Sequence, residues 1–182
     1  MKFRKKYTKK KYAKHTRKRK YKQKHRRTHK RKGLKKVISI WRLLKNSNHE
    51  YSLLLAGFDS STDIGLSAEE KNEAQILGWI DDKAEFYSQI DLLIHPAKRE
   101  AYGMVIPEAL SLGIPVLCSK ECGAAEIITE GQGSSLLHNE PDHIWAEIAY
   151  KLLTKACTND ASYNRPWSKV AKEYSGIYRR IN

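Results

Sequence analysis

Acidic residues are absent from the first 33 positions, a stretch that holds 19 Lys or Arg and almost no aliphatic side chains. Such a segment cannot bury enough apolar surface to offset the entropy of ordering, so it predicts disorder, or marginal helix on a partner. Long apolar runs are absent as well: none reaches the length of a membrane span, and the first residues contain no apolar core of signal-peptide type. Cysteine is scarce. Cys118, Cys122 and Cys157 are odd in number, and one x3 spacing without a second pair makes no zinc site. The thiols suggest a reducing, cytoplasmic setting. Neither a Ser-His-Asp set nor a Walker phosphate loop is visible, and no metal is expected.

The rest of the chain has a different character. The formal charge of +15 divides into +19 over residues 1–33 and −4 beyond them. Residues 1–32 therefore read as a basic low-complexity segment, and residues 33–182 as a mildly acidic domain large enough for one core.

Within that domain, Leu34 to Lys45 predicts a helix with Leu34, Val37, Ile38, Trp41 and Leu44 on one face. Tyr51 to Ala56 reads as a buried strand that ends at Gly57 and passes into a polar loop through Phe58 and Asp59. Ser67, with Glu70 three residues on, predicts a capped helix running to Gln75. Ile76 to Ile80 reads as a short strand, and Asp82 to Ile90 as a short helix with Phe86 and Tyr87 as core contacts. The run Asp91 to Ile94, closed by His95-Pro96, is too short for a helix and reads as a buried strand. His95 reads as a packed, hydrogen-bonded residue. Gly103, Pro107 and the spacing of Ile106, Ala109, Leu110 and Leu112 then predict a helix that Gly113 terminates. Pro115 to Cys118 is the next strand, Glu126 to Ile128 a short helix, and Ser134 to Leu137 the last strand. Asp142 to Ala156 predicts an amphipathic helix with Ile144, Trp145, Ile148, Leu152 and Leu153 as its core face. A final helix over Trp167 to Ile181 carries a stripe of Val170, Ala171, Tyr174 and Ile177. Strands alternating with helices predict a Rossmann-like parallel α/β sheet with helices on both faces, whose ligand crevice lies at the carboxyl ends of the strands.

Two carboxylates mark that crevice. Glu100 precedes the central helix and Glu108 lies about one turn inside it, so they bracket its start instead of sharing a stripe. The backbone N–H groups around Tyr102, Gly103 and Met104 are those a helix start leaves without intrahelical partners, a seat for phosphate. Carboxylates that accept hydroxyls around an anion seat suit a nucleotide sugar. A Glu at a helix start is favourable without any function, so the pair is informative only in its setting.

That setting, DLLIHPAKREAYGMVIPEALSLGIPV followed by Glu121-Cys122-Gly123, resembles the donor-binding half of the retaining GT-B glycosyltransferases, and within them the lipopolysaccharide core glucosyltransferases. The resemblance runs from about Arg31 to the C-terminus. It implies that Glu100 contacts the sugar hydroxyls and orients the donor in catalysis. Glu108 would bind the ribose hydroxyls, Arg31 and Lys32 the diphosphate, and the backbone at Ala101, Tyr102, Gly103 and Met104 would assist. The strand end at Trp79 and Ile80 would flank the base. It further implies a UDP-sugar as donor substrate with no cofactor, a glycan or lipid-linked glycan as acceptor, and a catalytic histidine in a separate acceptor domain. Members of this family carry an apolar strand and a glycine-rich loop, behind a whole acceptor domain, where this chain has its basic segment. That difference predicts a truncated or frameshifted gene, or an acceptor domain supplied by a second chain. The basic segment itself, with Tyr7, Tyr12 and Tyr21 available for stacking, suits nucleic acid or an anionic membrane surface. Peripheral attachment at the inner membrane face is the corresponding location.

Overall fold

The structure, a computed structural model, describes residues 31–46, 51–57 and 64–154. The segment through residue 30, the loop at Phe58 and Asp59, Cys157 and the expected helix over 167–181 lie outside the described residues.

Gly33 begins the fold at φ +77° and leads into helix α1, Leu34–Asn46. The buried residues of α1 fall on two sides, where one was expected. Leu34, Ile38 and Trp41 pack with Leu53, Leu55 and Ala74, whereas Ile40 and Leu44 pack with Leu117 and Trp145. Val37 is only partly buried. A helix wedged between two cores needs two apolar stripes, and a search for one face misses the second.

Strand β1, Leu53–Leu55, pairs in parallel with β2, Ala74–Ile76. Helix α2, Ala68–Glu73, joins them and opens with the expected capping box, in which the Ser67 hydroxyl accepts from Glu70 N and the Glu70 side chain accepts from Ser67 N. The helix stops short of Gln75, and β2 begins two residues before the expected Ile76. Pairing with β1 buries Ala74, whereas α2 buries none of its own residues, so the strand wins the boundary. Trp79 and Ile80 consequently lie beyond the strand end.

Helix α3, Lys83–Tyr87, is capped by the Asp82 carboxylate, which accepts from Glu85 N at 3.0 Å. Then come β3, Leu93–His95; α4, Val105–Ser111; β4, Val116–Ser119; a single 3-10 turn, Gly123–Ile127; β5, Gly133–Leu136; and α5, Asp142–Thr154. Helix α4 ends as its glycine predicts. Gly113 has φ +74°, its N–H donates to Leu110 O at 3.1 Å, and Ile114 N donates to Ala109 O at 3.0 Å, the two bonds of a Schellman stop.

The strand order is β1–β2 and β3–β4–β5, all parallel, so the expected sheet is present as two sheets among the described residues. A cavity of 340 Å³ separates the β1 and β3 edges, lined by Trp41, Leu53, Leu55 and Ile94 among others. Strand β4 is buried along its length, with Ile106, Ala109 and Leu110 of α4 on one side and Trp145 of α5 on the other. Trp145, Ala146 and Ala149 form the deepest part of α5, while Ile148, Leu152 and Leu153 are partly buried.

Candidate functional site

Gly33 brings the Arg31-Lys32 pair against the end of β3. A Cβ there would fall 2.0 Å from the Pro96 carbonyl oxygen, so the approach requires glycine. The Lys98 N–H donates to Arg31 O at 2.7 Å, Arg31 Nη1 donates to Arg99 O at 3.2 Å, and Arg31 Nη2 stands 3.7 Å from Glu100 Oε2. A cation from the start of the domain and a carboxylate from its middle are thereby placed together.

The backbone of Glu100 is pinned on both sides. Its N–H donates to Glu121 O at 3.2 Å, and its carbonyl accepts from Gly123 N at 3.2 Å. Ala124 N closes on Tyr102 O at 2.8 Å. A Cβ on Gly123 would approach Ala101 O to 2.3 Å, which explains the glycine of the Glu-Cys-Gly run. The Glu121 carboxylate in turn accepts from His138 N, so the β5 end fixes the segment that fixes Glu100.

Glu108 sits in the first turn of α4 with both oxygens engaged. Lys83 Nζ donates to Oε1 at 2.5 Å and the Tyr87 hydroxyl donates to Oε2 at 2.9 Å. Burial pushes the Tyr87 phenol up from its ordinary value, and its bond to the Glu108 carboxylate pushes it further, so Tyr87 stays a donor. A carboxylate offers about four lone-pair sites, and two remain for a ligand. Sequence reading treated Tyr87 as a core contact and overlooked Lys83. Nothing in their spacing from Glu108 could have paired them, since α3 and α4 meet only in the fold.

Gly103, at φ +89°, lies between Glu100 and His95: a Cβ there would stand 3.3 Å from Glu100 Cγ and 3.9 Å from His95 Nε2. His95 is buried as expected, at 9% exposure, and its side chain bonds the Cys122 thiol, but its Nε2 has no hydrogen-bond partner. Glu100 Oε2 is also buried without one, the Arg31 ion pair being too long for a hydrogen bond. The first helical bonds of α4 run from Ile106 N to Gly103 O and from Glu108 N to Met104 O, which leaves the amides of Gly103 and Met104 ahead of the helical ladder. Behind β3, the buried Cys118 and Cys122 thiols are coupled: Cys118 donates to Cys122, which pushes Cys118 up and pulls Cys122 down despite its burial.

The structure thus brings Arg31, Glu100, Ala101 and Gly103 to one loop cluster, with Tyr102 and Met104 exposed on its surface and Glu108 one turn further along α4. Lys32 is exposed and borders the cavity between the sheets. Trp79 is 86% exposed and packs into no core.

Comparison with known proteins shows the family. The pattern of Glycosyl transferases group 1 matches residues 5–170. The chain belongs to this family. Its Rossmann-like parallel architecture is that of the GT-B glycosyltransferases. Over 148 residues it is 30% identical to the lipopolysaccharide glucosyltransferase WaaG of Escherichia coli (strain K12), covering 79% of this chain and 38% of that protein. The crystal structure of WaaG superposes with a TM-score of 0.60 at 26% identity, covering 81% of this chain and 40% of that one. The C-terminal domain of LpcC, a glycosyl transferase group 1 family protein from Francisella tularensis, also gives a TM-score of 0.60, at 17% identity, and is matched over 80% of both chains. The chain spans about a quarter to two fifths of the length of the curated relatives it matches.

Proposed function

We propose that this chain is the donor-binding half of a retaining hexosyltransferase of glycan or lipopolysaccharide assembly, with a nucleotide sugar such as UDP-glucose as donor. The observation that carries the reading is the Glu100 carboxylate, its backbone pinned on both sides, its Oε2 buried without a hydrogen-bond partner and faced by the Arg31 guanidinium. A buried acceptor without a donor costs about 1–3 kcal/mol, and a sugar hydroxyl would recover that cost. Glu100 contacts and orients the transferred sugar. Arg31 and Lys32 stabilise the charge that grows on the departing diphosphate, assisted by the amides at Gly103 and Met104. Glu108, held by Lys83 and Tyr87, accepts the ribose hydroxyls, and Trp79 with Ile80 flanks the base. No metal is required, because cationic side chains and amides supply the positive charge. The acceptor, a glycan or lipid-linked glycan, meets the donor with an acceptor domain of the enzyme, at the cytoplasmic face of the membrane.

Calorimetric titration of UDP and UDP-glucose at moderate salt, where weak polyanion binding by residues 1–30 is screened, tests this. Saturable binding that survives deletion of residues 1–30 and weakens about 10- to 100-fold in Glu108→Ala is expected. A folded sample that binds neither ligand would overturn the reading.

A further inference from the structure

His95 has no part in the site as described so far, yet its position is unusual. It closes β3, is nine-tenths buried, and presents an Nε2 with no hydrogen-bond partner. The neighbouring Cys122 thiol lies 3.3 Å from Ser119 Oγ and 4.0 Å from the His95 carbonyl, and its bonds to Cys118 and to the His95 side chain hold it below its ordinary value, yet Nε2 is left without a partner. A buried imidazole that serves only to fill space ordinarily finds a partner for each ring nitrogen, since an orphan costs stability. Here a second orphan lies beside it. Glu100 Oε2 is also buried and unpaired, and both side chains converge on Gly103, where a Cβ would touch Glu100 Cγ at 3.3 Å and approach Nε2 at 3.9 Å. The missing Cβ opens space where the two groups meet.

Their chemistry is complementary. A carboxylate only accepts, and an imidazole with its proton on Nε2 donates. One hydroxyl can satisfy both, donating to Glu100 Oε2 and accepting from His95 Nε2–H. The Arg31 guanidinium stands 3.7 Å from the same carboxylate oxygen. Water could bridge the pair in the absence of ligand, but a polyol would displace it with the same bonds already arranged.

We infer that His95 is a sugar-recognition residue that shares one hydroxyl of the transferred hexose with Glu100, so that the pair reads the sugar and not the nucleotide. The inference rests on the donor-site reading above and adds a residue and a division of labour to it.

The test uses the full chain and two substitutions chosen for where they place an amide. In His95→Gln the amide nitrogen reaches the position of Nε2; in His95→Asn it reaches only that of Nδ1. Affinities for UDP and UDP-glucose are measured for each at moderate salt. The ratio of UDP-glucose to UDP affinity should fall about tenfold in His95→Asn and be largely retained in His95→Gln, with UDP binding itself unchanged in both. An unchanged ratio in His95→Asn overturns the inference. So does a parallel loss for both ligands, which would show the ring serving the fold. If His95→Asn does not fold, the wild-type protein with monodeoxy analogues of UDP-glucose answers the same question: one analogue should bind about tenfold more weakly, and equal binding of all overturns the inference. A wild type that binds UDP but not UDP-glucose overturns this inference while leaving a nucleotide site. One that binds neither overturns the donor-site reading, and this inference with it.

Discussion

The two halves of this domain are built to different standards. Around β3, β4 and β5, every residue of β4 is buried, Ile106, Ala109, Val116, Leu117, Cys118 and Ala124 have no exposed surface, and α4 and α5 cover the sheet. Around β1 and β2, two three-residue strands are covered chiefly by α1; α2 buries nothing, and ion pairs from Arg42 to Glu70 and from Lys45 to Glu73 tie it down at the surface. Exposed pairs of that kind contribute little. The groups proposed to touch sugar and ribose all stand on the dense half, whereas Trp79 and Ile80, proposed to flank the base, stand on the thin one. A group that must hold reacting atoms needs a rigid support, and a stacking surface does not.

Equivalent truncations in the two halves should separate them most. Leu110→Ala, on α4, is expected to cost about 4 kcal/mol, and Leu55→Ala, on β1, about 2 kcal/mol, because the cavity beside β1 already leaves its neighbours room to relax. Urea unfolding of both reads this, and equal losses would erase the distinction. Trp79→Ala should then leave stability within about 0.5 kcal/mol, since the indole is exposed. It should nevertheless weaken UDP binding by about 1–2 kcal/mol if the base stacks there. A stability loss without a binding loss would return Trp79 to a structural role.

The smallest expected effect tests how α1 is joined to the dense half. Lys36 Nζ bonds Asp142 at 2.6 Å and lies over the Trp145 ring at 5.4 Å. Burial pushes Asp142 up, but its bonds to Lys36 and Ser39 outweigh burial and hold it below its ordinary value of 3.8. A folded-state value below the unfolded one stabilises the protein above the unfolded value, and that contribution is lost as pH falls through the folded one. Asp142→Asn should therefore lower stability by less than about 1 kcal/mol near neutrality and flatten the loss seen on acidification below about pH 4. An unchanged acid limb would mean that this pair does not join the halves.

Local chemistry wrote a good part of the fold into the sequence. The Ser67–Glu70 capping box, Pro107 in the first turn of α4, Gly113 at its end and the Pro96 stop after β3 act over a few residues, and each lies where expected. The boundary between α2 and β2 was illegible, because it turns on the burial of Ala74 against a strand some twenty residues earlier. The second apolar stripe of α1 was missed for the same reason, since Ile40 is explained by Leu117 and Trp145, which lie far along the chain.

For the site, the sequence by itself determined the inventory: a carboxylate before a short helix, another within its first turn, a glycine between them and a basic pair before another glycine. The tertiary structure alone decided how these groups meet. Arg31 faces Glu100 because Gly33 can lie against Pro96; Lys83 and Tyr87 hold Glu108 because α3 packs beside α4; His95 Nε2 and Glu100 Oε2 are left without hydrogen bonds around Gly103. Helix caps and turn residues act through neighbouring backbone and can be read along the chain. Hydrogen-bond satisfaction in a buried site depends on which distant groups arrive there, and that is settled only when the core closes.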